Sequence, residues 1–132
     1  MIDQRLLPNE EIWLEYTDYT AVAEAITTMV VRGAPLIGVT AAYGVALGLR
    51  ADATDAGLQR VIELLGATRP TAVNLRWALE RIAAVLGPEL PGRRVERAYA
   101  EAARMADEDV TACAAIGRHG AAILARLRAS RE

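Results

Sequence analysis

Apolar residues recur at every second position near the start of the chain and, from Thr20 onward, at helical spacing. Ile12, Leu14 and Tyr16 alternate with Trp13 and Glu15, the period of a half-buried strand. Pro8-Asn9-Glu10-Glu11 supplies a turn from an earlier extended stretch over Ile2 to Leu7, so the pattern predicts a small N-terminal antiparallel β element. Val22, Ile26, Met29 and Val30 then mark a helix with Thr20 as its N-cap and an end near Gly33. Pro35 to Leu49 is apolar on every side, as in a buried helix, and Gly38, Gly44 and Gly48 leave room for neighbouring backbones. Arg50 and Asp52 close this stretch short of the roughly 20 apolar residues that span a bilayer.

Leu58, Val61, Ile62 and Leu65 form one face of a short amphipathic helix closed by Gly66. Thr71 to Leu86 reads as another helix, with Val73, Trp77, Leu79, Ile82 and Leu86 toward a core and Arg76–Glu80 as an exposed i,i+4 pair. Gly87-Pro88 and Pro91-Gly92 interrupt it. A long last helix carries Val95, Ala98, Tyr99, Ala102, Met105, Val110, Cys113 and Ile116 in one stripe, divisible at Gly117 and Gly120. The expected fold is mainly α: a small N-terminal antiparallel β element and a bundle of five to six helices, forming one domain over residues 1–132.

Composition supports this picture. Apolar content of 53% excludes disorder, and the scarcity of aromatic residues (5%) with abundant alanine favours close-packed helices. All 15 basic residues are arginine, which removes any lysine Schiff base or lysine phosphate ligand. A net charge of −2 gives no general attraction to nucleic acid or to an anionic membrane, and no helix has the basic face of a helix-turn-helix reader. One cysteine permits no internal disulfide and suits a reducing compartment; with no secretory leader at Met1-Ile-Asp-Gln-Arg5, a cytoplasmic location is expected.

Candidate chemistry concentrates at two helix junctions. Met29-Val-Val-Arg-Gly-Ala-Pro35 joins two helices through Arg32, a glycine able to take positive φ and a proline suited to a first helical turn. The same composition also makes an ordinary turn, but Thr68-Arg69-Pro70-Thr71 repeats the construction, an arginine ahead of a proline that opens a helix. Unpaired N–H groups, the positive end of a helix dipole and a guanidinium together suit a phosphate ester. Elsewhere the signals are weak. Cys113 reads as packing, His119 as a hydrogen-bonding residue, and Asp107-Glu108-Asp109 as a solvated face with Arg104 paired to Glu108; no metal site is supported. The glycines at 38, 44 and 48 fit neither a P-loop nor a dinucleotide fingerprint.

Three motifs in order, Val31-Arg-Gly-Ala-Pro-Leu-Ile-Gly-Val-Thr-Ala-Ala-Tyr-Gly44, Thr68-Arg-Pro-Thr-Ala-Val-Asn-Leu75 with Trp77-Ala-Leu79, and Ile116-Gly-Arg-His-Gly-Ala121, resemble the N-terminal domain of the S-methyl-5-thioribose-1-phosphate isomerase family, essentially from end to end. The wider superfamily includes ribose-1,5-bisphosphate isomerases and regulatory subunits of the translation initiation exchange factor. The resemblance implies a two-domain homodimeric α/β enzyme without external cofactor. Its helical domain precedes a Rossmann-like catalytic domain, and it converts the aldose 5-methylthioribose 1-phosphate to the corresponding ketose in methionine salvage. It also implies Arg32, Gly33, Ala34 and Arg69 as substrate contacts. The family's catalytic cysteine, in a Thr-His-Cys-Asn context, and its aspartate belong to the second domain, past Ala129-Ser-Arg-Glu132. No catalytic residue is therefore expected in this chain, Cys113 is not that cysteine, and these 132 residues alone are expected to be inactive. The alternatives are a related ribose-1,5-bisphosphate isomerase, or a non-catalytic regulatory or protein-interaction module of the exchange-factor type.

Overall fold

Helix α2 (Ala34–Leu49) is the axis of the molecule, because its alanines and glycines let four other helices close on it. In the computed structural model, which describes residues 1–129, these are α1 (Tyr19–Thr27), α3 (Asp55–Ala67), α4 (Val73–Leu86) and α5 (Pro91–Ala129). Gly44 and Gly48 share a face that meets α1 and α3; a Cβ at Gly44 would stand 3.1 Å from both Val22 and Leu65. Gly38 meets α4 instead, where a Cβ would lie 2.9 Å from the Asn74 carbonyl oxygen. Side chains that fill the remaining space, among them Ile26, Val45, Leu49, Leu65, Leu75, Ile82 and Leu86, are fully buried.

The expected β element does not form strands among the described residues. Ile2 and Trp13 make one isolated antiparallel bridge, flanked by the Asp3 N–H donating to Ile12 O (2.9 Å) and the Leu14 N–H to Met1 O (2.7 Å). Residues 4–9 are consumed by turns that close on Asp3 and Leu6, which leaves too little extended chain for a ladder. A two-stranded ribbon is marginal in any case. Part of this arm pairs with a helix end, through the Gln4 N–H donating to Val30 O at 2.9 Å.

Helix ends differ from the sequence expectation in informative ways. Asp18, not Thr20, caps α1, its carboxylate accepting from the N–H groups of Thr20 (2.8 Å) and Ala21 (3.1 Å). The helix ends at Thr27, with Thr28 as its C-cap and Met29 just past it, rather than near Gly33. Met29 adopts φ 61°, and the Val30 N–H returns to Ala25 O (2.9 Å), a Schellman ending with methionine where glycine is usual. Thr54 caps α3, which runs through Gly66 instead of ending there. Helix α4 begins at Val73, so Pro70 does not open it; Arg69 to Ala72 form a turn closed by the Ala72 N–H on Arg69 O (3.0 Å). Leu75 and Ala78 join Leu79, Ile82 and Leu86 in the core, while Val73 and Trp77 stay largely exposed.

Helix α5 is continuous through Gly117 and Gly120. Its stripe is buried at Ala98, Ala102 and Met105, but Val110 (67%) and Ile116 (71%) are exposed, as are Ile123, Leu124 and Leu127. Cys113 is exposed rather than packed in a core, and His119 is exposed, with no side-chain hydrogen bond among the described residues. No helix among them is long and apolar enough to cross a membrane.

Candidate anion site at two helix starts

Arg32 reaches its position because the loop after Met29 is tied down twice. Its backbone N–H donates to the Gln4 Oε1 (2.7 Å), and its Nε donates to Met29 O (3.4 Å), leaving the terminal guanidinium nitrogens without a carboxylate partner among the described residues. Asp3, buried close by, is already held by Arg5 through a two-point contact (2.9 and 2.6 Å). Arg5's hydrogen bonds keep the Asp3 carboxyl below its ordinary range, with a lesser attraction from Arg32. Gly33, with φ 108°, then turns the chain into α2 and stands at its N-cap.

Arg69 comes to the same place from the other side. One hollow of about 370 Å³ is lined by Met29, Arg32, Gly33, Ala34, Ile37, Arg69, Ala72, Val73 and Asn74. The structure therefore brings all four residues singled out from the sequence, Arg32, Gly33, Ala34 and Arg69, into one cavity wall. Arg69 and Ala72 also border a groove between α3 and α4.

The helix starts at this hollow differ from those of α1 and α3. Asp18 caps α1, and Thr54 caps α3 with Asp55 in its first turn. Helices α2 and α4 have Gly33 and Ala72 at their N-caps, no side-chain cap and no acid in the first turn. Their first N–H groups lack intrahelical partners, so two positive dipole ends and two guanidinium groups border one cavity. Nothing lining the hollow is a carboxylate, histidine, cysteine or tyrosine. The arrangement can bind and orient an anion, but it offers no group that exchanges a proton near neutral pH.

Next to it lies a second, mostly apolar hollow of about 410 Å³ between Pro35, Val39, Val73, Asn74, Trp77 and Met105, with Glu108 and Asp109 at its rim. Glu108 is drawn below its ordinary pKa chiefly by its hydrogen bonds from Arg81 (2.5 and 2.8 Å), a closer partner than Arg104 at 3.8 Å. Arg81 lies 5.3 Å from the Trp77 ring centroid and also donates to the buried Glu101 at 2.7 Å. A larger apolar hollow of about 530 Å³, walled by Tyr16, Tyr43, Leu47 and Tyr99, lacks the arginine pair. No group of three or more His, Cys, Asp or Glu among the described residues could hold a metal ion. Sequence reasoning missed Met29, Val73 and Asn74 as wall residues, since only the packing of α2 against α4 reveals them.

A helical domain with two uncapped helix starts facing one arginine-lined cavity has the geometry to accept an anion. The sequence pattern of the initiation factor 2 subunit family matches residues 30–127, and the chain belongs to that family. It is 59% identical over 129 residues to a methylthioribose-1-phosphate isomerase of Methylobacterium nodulans, covering 98% of this chain and 35% of that protein. The chain thus spans about a third of the length of such relatives. Among solved structures, the 5-methylthioribose 1-phosphate isomerase of Pyrococcus horikoshii superposes with a TM-score of 0.77 at 40% identity, over 83% of this chain and 33% of that one. Subunit delta of translation initiation factor eIF-2B from A. fulgidus gives 0.73 at 36% identity, over 83% of this chain and 34% of that one. The resemblance read from the three motifs is borne out by these relatives.

Proposed function

We propose that this chain is the substrate-binding helical domain of an aldose–ketose isomerase that turns 5-methylthioribose 1-phosphate into 5-methylthioribulose 1-phosphate, a step of methionine salvage in the cytoplasm. The observation that carries the reading is the shared hollow: Arg32 and Arg69 flank the uncapped starts of α2 and α4. There a phosphate ester would meet backbone N–H groups and charge-assisted hydrogen bonds. Identity of 59% to an isomerase named for this sugar phosphate supports the choice of substrate.

Opening the sugar ring and moving a hydrogen from C2 to C1 requires a positioned acid and base. Guanidinium groups are donors without an acceptor, so the arginines serve as binding groups. The acid and base are assigned to a Rossmann-like domain of the longer, homodimeric protein, and no cofactor enters the reading. Helix α5 supports a partner domain, since its distal apolar residues Val110, Ile116, Ile123 and Leu124 are exposed.

Titration with inorganic phosphate tests the site. Replacing either Arg32 or Arg69 by Ala is expected to cost about 1.5–3 kcal/mol of binding, roughly ten- to hundredfold in affinity. Turnover of the sugar phosphate by the 132-residue protein alone would refute the assignment of catalysis to another domain. The likeness to eIF-2B subunit delta favours a second reading, a regulatory protein-contact module. Affinity unchanged in both arginine variants would support that reading instead.

A further inference from the structure

Asn74 occupies a position that the anion-site reading does not use. It lies in the first turn of α4 and, with Val73, lines both the arginine hollow and the apolar hollow beside it. Its backbone is pinned, because its carbonyl packs against Gly38 of α2 with no room for a Cβ between them. Its side-chain amide neither caps the helix nor bonds to any other described residue. A bare phosphate needs only donors, which the arginines and helix starts already supply. An amide offers a donor and an acceptor together, the complement of a hydroxyl group.

Resting on the phosphate-site reading above, we propose that Asn74 is a specificity-determining residue that reads a sugar hydroxyl of a phosphate monoester seated on Arg32 and Arg69. The ester then extends past Asn74 toward the hollow bordered by Trp77 and Met105. Glu108 at that rim is already paired with Arg81, but Asp109, the otherwise apolar lining and the lack of any basic residue lining the hollow disfavour a second phosphate there. The ligand class is a sugar monophosphate with an uncharged far end.

The test compares two esters, ribose 1-phosphate and methyl phosphate, which share the phosphate and differ in hydroxyls. Titration of the wild-type chain should favour ribose 1-phosphate. Asn74→Ala should weaken ribose 1-phosphate about fivefold while methyl phosphate stays within about twofold, as expected for loss of one neutral hydrogen bond. Equal weakening of both esters, or of neither, would overturn the role of Asn74. Asn74→Asp is nearly isosteric and serves if the alanine variant melts. Its carboxylate should repel both esters and lower both affinities more than about tenfold, and unchanged affinities would place the side chain away from the ligand. Arg32→Ala and Arg69→Ala separate the two readings. If they leave methyl phosphate binding unchanged, the anion site itself falls; if they weaken it while Asn74→Ala keeps the wild-type preference, only the present inference falls. Wild type that binds neither ester overturns both.

Discussion

The carbonyl oxygen of Asn74 lies 2.9 Å from where a Cβ on Gly38 would stand, so α2 and α4 touch backbone to side-chain position next to the candidate site, which Asn74 lines. Ala78 Cβ is almost as close to the same point, at 3.0 Å. Neither neighbour is the far end of a flexible side chain, and the helices must separate to admit a methyl group. Gly38→Ala is therefore expected to destabilise the fold by about 1–3 kcal/mol, the usual range for overpacking. It should also weaken phosphate binding, because the starts of the two helices move apart. Urea denaturation and phosphate titration on the same variant check both effects; an unchanged midpoint would show that the contact is slack.

Just past the C-cap of α1, Met29 sits in the left-handed region at φ 61°, and the residue, 43% exposed, lines the arginine hollow. A side chain in that conformation costs about 1–2 kcal/mol relative to the right-handed one. Met29→Gly relieves this, and the greater freedom of glycine in the unfolded chain offsets part of the gain. The expected outcome is a net stabilisation of about 1 kcal/mol by equilibrium denaturation. Destabilisation would mean that methionine packing outweighs the backbone conformation.

Glu101 is buried on α5 between Arg81 at 2.7 Å and Arg104 at 2.7 Å. Burial pushes its carboxyl pKa up, but hydrogen bonds from Arg104 and Arg81 outweigh that and leave it below its ordinary 4.5. A carboxylate with a depressed folded pKa contributes stability above its unfolded pKa and loses it as the pH falls through the folded value. Wild-type stability should thus decline on acidification below pH 4.5, and Glu101→Gln should flatten that decline. At neutral pH the same variant should lose about 2 kcal/mol, less than for a fully dry pair because Arg104 is half-exposed. Denaturation profiles from neutral to acidic pH decide it: identical slopes in the two proteins would remove Glu101 from the acid response.

Much of the fold can be read from periodicity alone, and the failures have separate physical causes. The five helices follow from apolar spacing, yet three alternating residues at Ile12, Leu14 and Tyr16 do not make a ribbon when the facing stretch is spent on turns. In α4, Val73 and Trp77 are apolar enough to suggest core, but the face that turns inward is set by Leu75, Ala78, Leu79, Ile82 and Leu86. In α5 the stripe continues past Met105 after the neighbouring helices have run out, so identical periodicity means burial at Ala102 and exposure at Ile116. Ala34 entered only through the family resemblance, whereas Arg32, Gly33 and Arg69 stood out because junction chemistry is local. Asn74 and Met29 did not, because their place at the hollow depends on how α2 meets α4.

Arg94 illustrates a buried charge with no local signature. Its guanidinium is enclosed, donating to the carbonyls of Ala53 (2.9 Å), Leu86 (3.2 Å) and Glu89 (3.1 Å) and pairing with Asp55. It thereby satisfies the end of α4 and joins it to the start of α3. Arg94→Ala strands several carbonyls at once and should cost about 3 kcal/mol. Arg94→Lys keeps the charge but not the planar fork, and should recover less than half of that loss. Denaturant midpoints of the two variants measure this; full rescue by lysine would show that charge alone matters.

The distal half of α5 differs in kind from the proximal half. Arg94, Ala98, Glu101, Ala102 and Met105 are buried, whereas no described residue after Met105 is. Past Glu108, which Arg81 of α4 still holds, a helical segment of that length with little tertiary packing is marginal in water, because nucleation and fraying are opposed mainly by intrinsic propensity. Amide hydrogen exchange in this chain should therefore be slow from residues 98 to 105 and should accelerate steadily beyond Val110. If a further domain of the longer protein covers Ile116, Ile123 and Leu124, the same amides should become protected when that protein is intact. Equal protection along α5 in the 132-residue chain would mean that the distal face is already covered, most simply by self-association, and the argument for a partner domain on this surface would fail.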